Sequence, residues 1–373
     1  MRIVIVIVIA VLIYTIQQRI YRQLWDNGLS VSITFDEEYI ENGSTTFLSE
    51  SVTNSKYLPL PVIHVKFATD RSFTFVDNEN ASVTDSYHRN DVFSIMGNER
   101  ITRRLEFTAA KRGLYKISAI EIVAKDFFMT RSFAKQIKNT AGLYVFPEKY
   151  DNVEIGMLCR TLIGELTSNR SLVEDPYTFR GIRDYDASFT MNRINWKASA
   201  KTCSMKVNVY DHSYEQKVKL MLDLEPNAML KIETMQEICI KLASTVAEKL
   251  ISSNVPTAFV TNGIDEETDM EGRVDVGASK GHMIAIDKCL SRIKGNSGLD
   301  GFMKLIDSEL SCRDDNISYV IISSYCKEDL LIKLDYLNAR HIPFKLIVPY
   351  YDIQNEKFNR SYICGWEVAY DEV

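Results

Sequence analysis

No two of the seven cysteines form a C-x-x-C pair, and none lies before residue 159. An odd, scattered set builds no disulfide framework and fits a reduced, cytoplasmic setting. Histidine is equally sparse: the five, at 64, 88, 212, 282 and 341, do not sit near cysteine pairs. Zinc needs clustered Cys and His ligands, so no zinc site is expected. No local pattern supports a Cys–His nucleophile. The G-x-x-x-x-G-K-[ST] phosphate loop is absent, so the chain is not itself a P-loop ATPase. Absent too are G-x-G-x-x-G after a strand, the G-x-S-x-G elbow and H-E-x-x-H. A surplus of positive charge is also missing: 44 Lys and Arg face 50 Asp and Glu, a net charge of −6. That balance argues against a general nucleic-acid binder, which needs a broad basic face. With 46% hydrophobic and 25% charged residues over 373 positions, what remains is a globular chain long enough for two cores.

Charge is scarcest at the amino end. Ile3 to Ile13 is wholly apolar, and nothing from Ile3 to Gln18 is charged. As a helix this stretch spans about 24 Å, at about 1.5 Å per residue, slightly short of a bilayer core of about 30 Å. Arg2 can snorkel at one end. At the other, Ile20, Tyr21, Leu24 and Trp25 extend the apolar face, and Tyr and Trp suit the interface. The expectation is a transmembrane anchor within 1–27, meeting lipid through residues 3–25. A cleaved signal peptide would want small residues before its cut, and YTIQQRIYRQ has no such site. A buried strand or helix is the third alternative. Arg2 and the amino terminus oppose Arg19 and Arg22, so the positive-inside rule nearly ties. The unpaired cysteines tip the main body toward the cytoplasm.

Residues 28–150 read as an all-β sandwich. VSITF (31–35), TTFLSESV (45–52), VIHVKFAT (62–69), RITRRLEF (100–107) and LYKISAIEIVA (114–124) recur between turn clusters, with no helical stretch among them. Within 62–69, Ile63, Val65, Phe67 and Thr69 alternate with Val62, His64, Lys66 and Ala68, a sheet period. His64 is expected to be an ordinary surface or edge histidine. Lys111-Arg112-Gly113 is expected to be a turn, with a glycine that permits positive φ and a docking loop as the alternative. Lys125 to Phe128 is expected to be a strand-ending turn with buried Phe, a docking loop being the alternative.

From 213 the period changes. KVKLMLDL (217–224) is a buried strand, and Met229, Ile232, Met235, Ile238, Leu242, Val246 and Leu250 mark one helix face, with Asn227 able to cap its start. Strands at 256–263, 317–325 and 343–350 alternate with helices at about 282–294, 298–311 and 327–340. Such alternation implies a parallel, doubly wound α/β sheet over 213–373, with ligands expected at the carboxyl ends of its strands. The first strand ends Asp223-Leu224-Glu225-Pro226-Asn227. This resembles the ion site of von Willebrand factor A-type domains, D-x-S-x-S, with Glu225 and Asn227 in place of both serines. All three are oxygen donors, so weak divalent-cation binding is one reading. The other, favoured here, is that Asp223 and Asn227 cap the helix and satisfy a turn, leaving a degenerate site with no metal and no cofactor. Glu266-Glu267 and Asp314-Asp315 read as solvated loop charge rather than an acid/base pair.

Between the two domains, 151–212 is expected to hold connecting strands. Here Arg180, Arg183, Arg193, Lys197 and Lys201 stand beside Phe179, Tyr185 and Trp196. RDYDASFTMNRINWKASAK resembles the hallmark of the Domain of Unknown Function 58 family, R-E-Y-x-P-G-D-x-x-R-x-I-[DHN]-W-x-x-[ST]-A-[RK]. Arg183, Asp184 and Tyr185 match its start, with Asp for Glu, and Ile194, Asn195, Trp196, Lys197, Ala198, Ser199, Ala200 and Lys201 its end. Ala187-Ser188-Phe189 replaces Pro-Gly-Asp, and Asn192-Arg193 displaces the usual Arg by one. KRGLYKISAIEIVAKDFF is similar to the family's R-R-G-x-Y…D-P-F, and LYVFPEKY (143–150) to its V-Y-P element. The resemblance implies a membrane anchor, a β-sandwich, the hallmark and a von Willebrand-like domain, in that order. It also implies partnership with a MoxR-type AAA+ ATPase in the assembly or activation of other proteins; that the chain itself is no enzyme is expected from the missing catalytic motifs.

A basic aromatic strip could hold single-stranded nucleic acid, but the acidic whole argues against it; two further readings of the hallmark stay open. In the first, Trp196 and Ile194 pack into a core from one strand, and Arg183, Lys197 and Lys201 pair with nearby Asp. In the second, Arg180, Arg183, Asp184, Tyr185, Asn195, Trp196, Lys197, Ser199 and Lys201 form a partner-docking surface, where Arg, Tyr and Trp supply most binding energy. The function expected is that of a membrane-anchored interaction protein. An exported, tethered adhesion or envelope-binding protein is the alternative, and a membrane hydrolase a distant third.

Overall fold

A computed structural model describes residues 2–77, 81–83, 86–151, 153–168, 179–186, 190–210, 217–225, 232–294, 301–311, 317–324, 328–350 and 360–368. The chain forms two compact units, Met1–Glu148 with Leu290–Arg292, and Lys149–Cys289 with Ile293–Val373.

The first unit begins with helix α1 (Arg2–Leu24), long and apolar enough to cross a membrane. Ile3 to Ile13 leave their side chains exposed, as do Ile16 and Ile20. Tyr21 and Trp25 instead enter the core of the following sheets, where the Tyr21 hydroxyl donates to the Pro59 carbonyl at 2.7 Å. Trp25 stacks on Phe133 at 5.9 Å. The helix is thus bolted at its carboxyl end, and its first eleven apolar residues, Ile3 to Ile13, are bare.

Ten strands follow: β1 (Leu29–Phe35), β2 (Tyr39–Glu41), β3 (Thr45–Asn54), β4 (Leu60–Thr69), β5 (Phe73–Phe75), β6 (Ala81–Val83), β7 (Tyr87–Ile95), β8 (Glu99–Ala109), β9 (Gly113–Lys125) and β10 (Ser132–Phe146). They make two sheets, β1-β3-β8-β5 and β2-β10-β9-β4-β7-β6. Ile33, Leu48 and Phe107 of the first share one core with Ile63, Val65, Phe67 and Ile120 of the second. The alternation expected along 62–69 is therefore the one that builds the sandwich. His64 meets Asn90 at 3.1 Å on the outer face. Gly113 does not use the positive φ open to it; Gly28 and Gly43 do. Gly113 opens β9 in ordinary extended pairing with Val145.

The sandwich also buries charge. Arg89 donates to Asp91 at 2.5 Å and to the Asp77 carbonyl at 2.6 Å, and Arg103 donates to Asp91 at 2.8 Å. Glu50 lies buried beside this group. Burial, then the neighbouring Asp91 carboxylate, push Glu50 up to about 8.

The second unit contains α2 (Val153–Ser168), β11 (Phe179–Asp184), a 3-10 turn (Met191–Arg193), α3 (Trp196–Thr202), β12 (Lys206–Tyr210) and β13 (Lys217–Asp223). Then come α4 (Ile232–Ser252), β14 (Thr257–Asp265), β15 (Glu271–Gly277), α5 (Lys280–Arg292), β16 (Ile293–Lys294) and α6 (Gly301–Ser311). The unit closes with β17 (Ile317–Ser323), α7 (Glu328–Ala339), β18 (Phe344–Tyr350) and β19 (Ile363–Glu367). Its main sheet runs β15-β14-β13-β17-β18-β19. Strands β14, β13, β17, β18 and β19 are mutually parallel, while β15 and the short β16 are antiparallel to β14. The sheet is mixed rather than wholly parallel. Val260, Met221, Ile321 and Leu346 stand in one register row and share a core with Phe302 and Leu305 of α6 and Leu330 and Leu334 of α7. The expected face of α4 holds, with Ile238, Leu242, Val246 and Leu250 buried. Across 151–212 the connecting strands β11 and β12 are joined by helices α2 and α3, which the sequence reading does not contain.

Candidate functional site

Two places gather the residues singled out by sequence. The first is the β11–β12 hairpin and the short helix between its strands. Ile182, Arg183 and Asp184 pair with Asn208, Val207 and Lys206. Asn195 starts α3: its side-chain oxygen accepts from the Ala198 N–H at 2.9 Å, and its amide donates to the Asn208 side chain at 2.8 Å. Capping by a short polar side chain explains why a residue of this type stands before Trp196. The Ser199 hydroxyl, one turn on, donates to the Asn195 carbonyl at 2.8 Å and accepts from the Lys206 N–H at 2.8 Å. Asn195 and Ser199 therefore stitch helix to hairpin. Beneath them Ile194 is buried and bridges to buried Val207.

The cap decides where Trp196 points. As the first residue of α3 its side chain turns away from Ile194 and is 68% exposed. The expectation that Trp196 packs into a core beside Ile194 is overturned: the two would share a core only on one continued strand, and the Asn195 cap ends the extended backbone between them. Met191, at 70% exposure, and Phe179, Ile182 and Met205 are exposed on the same hairpin-and-helix element. Lys197 and Lys201 are exposed and form no ion pair with an acidic residue among the described residues. The acid of this element, Asp184, pairs instead with Lys206 at 2.5 Å. Arg183 is exposed, and Tyr185 is half-buried with its N–H donated to the Met205 carbonyl at 2.9 Å. Arg180 lies within β11.

The second place is the carboxyl end of β13. Asp223 is buried, and its Oδ1 accepts from the Glu225 N–H at 2.9 Å and from Asn262 Nδ2 at 3.0 Å. Its Oδ2 accepts from the Ser323 hydroxyl at 2.8 Å. Glu225 reaches the start of α6, accepting from the Phe302 N–H at 2.8 Å. Asn262 also accepts from the Leu224 N–H at 2.8 Å, and Gln236 donates to the Leu224 carbonyl at 2.7 Å. Burial pushes Asp223 up to about 6, against the donors from Glu225, Ser323 and Asn262. Asp223 thus satisfies a turn and ties three strands together. Asn227 and the start of the following helix lie outside the described residues, as does Asp314-Asp315. Close packing continues beside this knot: a Cβ on Gly263 would stand 2.4 Å from Ile293 and 2.8 Å from Leu224.

Among the described residues, no group of three or more His, Cys, Asp or Glu is arranged to hold a metal ion. Among the described residues, Cys159, Cys203, Cys239, Cys289 and Cys364 form no disulfide. Burial pushes the Cys159 thiol up to about 11 and raises that of Cys239 further, which keeps both protonated and unreactive. Exposed Cys203 ends α3 in a left-handed conformation. The sequence reading contains no α3, and only its docking-surface alternative has Trp196 outward; the Asn195…Ser199 spacing, a cap followed by a hydroxyl one turn later, is the signal for the helix.

No family model matches the sequence, and no curated protein matches it. Among solved structures the fold is similar to a cohesin from Archaeoglobus fulgidus, at 10% identity and TM-score 0.22 over 31% of this chain and 91% of that one. It is similar to the sixth cohesin of Acetivibrio cellulolyticus scaffoldin B, at 12% identity and TM-score 0.23 over 31% of this chain and 99% of that one. It is also similar to the CARDB domain of a Pyrococcus furiosus protein, at 11% identity and TM-score 0.19 over 30% of this chain and 94% of that one. At these scores the similarity carries no argument about function.

Proposed function

We propose that the chain is a single-pass membrane protein that binds other proteins through its hairpin-and-helix element and catalyses no reaction. The observation that carries this is Trp196, held outward at 68% exposure by the hydrogen-bonded Asn195–Ser199 scaffold with Met191 and Ile182 also exposed. An exposed aromatic on a rigid support, beside unpaired lysines, has the character of an interface hot spot. The bare apolar length of α1 supports the anchor. The strand order of the second unit, with its antiparallel edge at β15, supports a von Willebrand factor A-like domain whose ion site has been converted to an internal knot. The hallmark resemblance supports a MoxR-type AAA+ ATPase as partner, on the cytoplasmic side.

The test is titration of the full chain in nanodiscs with the MoxR-type ATPase of the same genome. Binding that Trp196→Ala weakens by ten-fold or more, about 1.4 kcal/mol or greater, is expected; absence of binding by the unaltered chain would overturn the ATPase assignment. Exposed Cys203 reports the side of the membrane. A membrane-impermeant maleimide should leave it unlabelled in intact cells and label it after lysis. Labelling in intact cells would favour the exported, tethered alternative.

A further inference from the structure

The tip between β9 and β10 was expected to bury its Phe residues, and it does the opposite. Phe127, Phe128 and Met129 are 58%, 49% and 58% exposed. They are not there by slackness. Asp126 is fully buried at the base of the turn, where Oδ1 accepts from the Thr130 N–H at 2.6 Å and the Arg131 N–H at 3.0 Å. Its Oδ2 accepts from the Thr130 hydroxyl at 2.8 Å. The Met129 N–H donates to the Asp126 carbonyl at 2.9 Å, and Met129 takes φ +58° to close the turn. A buried carboxylate with three donors is thus spent on fixing a turn that turns three large apolar side chains outward.

What lies beside that tip is α1. Tyr14 donates to the Thr130 hydroxyl at 3.3 Å, and its ring lies 6.1 Å from that of Phe128. Phe127 and Phe128 meet edge to face at 5.6 Å. Tyr14 belongs to the uncharged stretch of the helix, with Ile13 and Ile16 exposed around it. It precedes Arg19 by five residues, about 7.5 Å of helix. A helix whose bare stretch crosses a bilayer carries Tyr14, and therefore the tip that touches it, to that depth below the charged boundary. The value falls within the roughly 5–10 Å that interfacial apolar groups reach. The uncharged run is itself slightly short of a bilayer core, so a second apolar foot at this end adds contact where the helix runs out.

We propose that Phe127, Phe128 and Met129 form a second membrane contact, inserted at the boundary between headgroups and acyl chains beside α1. The occupant of this surface is lipid, and the inference rests on the anchor reading of α1. Two feet joined by the Tyr14–Thr130–Asp126 chain set the tilt of the sandwich on the membrane, which a single helix would leave free.

Replacing single residues of the full chain with p-benzoylphenylalanine tests this in nanodiscs of phosphatidylethanolamine and phosphatidylglycerol. After irradiation, lipid adducts are measured by mass spectrometry. The positions are Ile9 on the helix, Phe127 on the tip, and Tyr39, which pairs with Tyr144 at the far end of β10. Tyr144 is twelve residues from Ser132, about 40 Å of strand. Adducts at Ile9 and Phe127, each at least ten-fold above Tyr39, are expected. Adducts at Ile9 with Phe127 at the Tyr39 level would overturn the second contact and leave the anchor standing. Absence of adducts at both Ile9 and Phe127 would overturn the anchor and this inference together. Equal labelling at all three would overturn the inference too, since lipid would then show no preference for the tip.

Discussion

The carboxyl end of β13 and the β11–β12 hairpin treat their chemical groups in opposite ways. At β13 the carboxylates of Asp223 and Glu225 face inward, and backbone N–H groups, Asn262 and Ser323 donate to them. At the hairpin the polar groups of Asn195 and Ser199 are also spent internally, yet the result is to hold an indole in water. The difference separates a scaffold from a candidate surface. A polar cluster whose members are one another's partners has little left to offer a ligand, while an exposed large apolar group on a fixed support has no internal use.

The sharpest way to break the comparison is Asp223→Ala. It strands the Asn262 amide, the Ser323 hydroxyl and the Glu225 N–H in a buried space, at about 1–3 kcal/mol for each donor left unmade. A loss of about 3 kcal/mol or more is expected in the second unit, read by urea denaturation with hydrogen exchange locating the change. A loss below about 1 kcal/mol would mean that the knot is open to solvent, and would return the ion-site reading to consideration.

Next in size is a pH effect in the sandwich. Glu50 is raised from 4.5 to about 8, so the folded state holds a proton the unfolded chain has released. Its stabilising contribution is complete below the unfolded value and is lost as pH rises toward about 8, with Asp91, Arg89 and Arg103 as the facing charges. Glu50→Gln should flatten that decline, a difference on the order of 2 kcal/mol between about pH 5 and about pH 9. Asp223 titrates in the same direction over a lower window, from 3.8 to about 6. Parallel pH profiles for the variant and the unaltered chain above about pH 6 would sink the assignment to Glu50.

Much of the scaffold was legible, and the reason is periodicity. Alternation along β4 and three-four spacing along α4 are long enough to stand out, because a buried face repeats several times. What was missed is short, edge-placed or mostly exposed. In α2, Ile155, Cys159 and Leu162 have helical spacing, but Gly156 and Gly164 interrupt the propensity. Strand β15 is an exposed edge with no clear apolar row, and β10 places Phe133, Ile137, Ala141, Leu143 and Val145 against the core but spaces the first of them with lysines and an asparagine. Helix α3 has seven residues, fewer than two full repeats of its own period. There the local rule of a cap followed by a bridging hydroxyl outweighed the apolar pattern that had suggested a strand. The candidate site was legible in its membership but not in its orientation, which turns on one capping bond.

That bond gives the third prediction, Asn195→Ala. Losing the cap and the contact to Asn208 should cost about 1 kcal/mol, felt locally as faster hydrogen exchange in α3 and at the Ser199–Lys206 contact. Global stability should barely move. If exchange in α3 is unchanged, the side chain does not set the helix start, and the outward position of Trp196 must have another cause.

Trp196→Ala carries the smallest expected effect on folding and the most information. At 68% exposure the indole buries little against its own chain, so its removal should change stability by no more than about 0.5 kcal/mol. Asp223→Ala and Trp196→Ala then bracket the comparison: the first should destabilise the second unit and weaken binding only through that; the second should leave order intact while weakening the partner ten-fold or more. Were Trp196→Ala instead to destabilise the second unit by about 2 kcal/mol, the indole would be serving a core after all, and the hairpin would belong with β13 as scaffold. A circular-dichroism melt beside the binding titration decides between them, because one residue cannot be both expendable to the fold and packed within it.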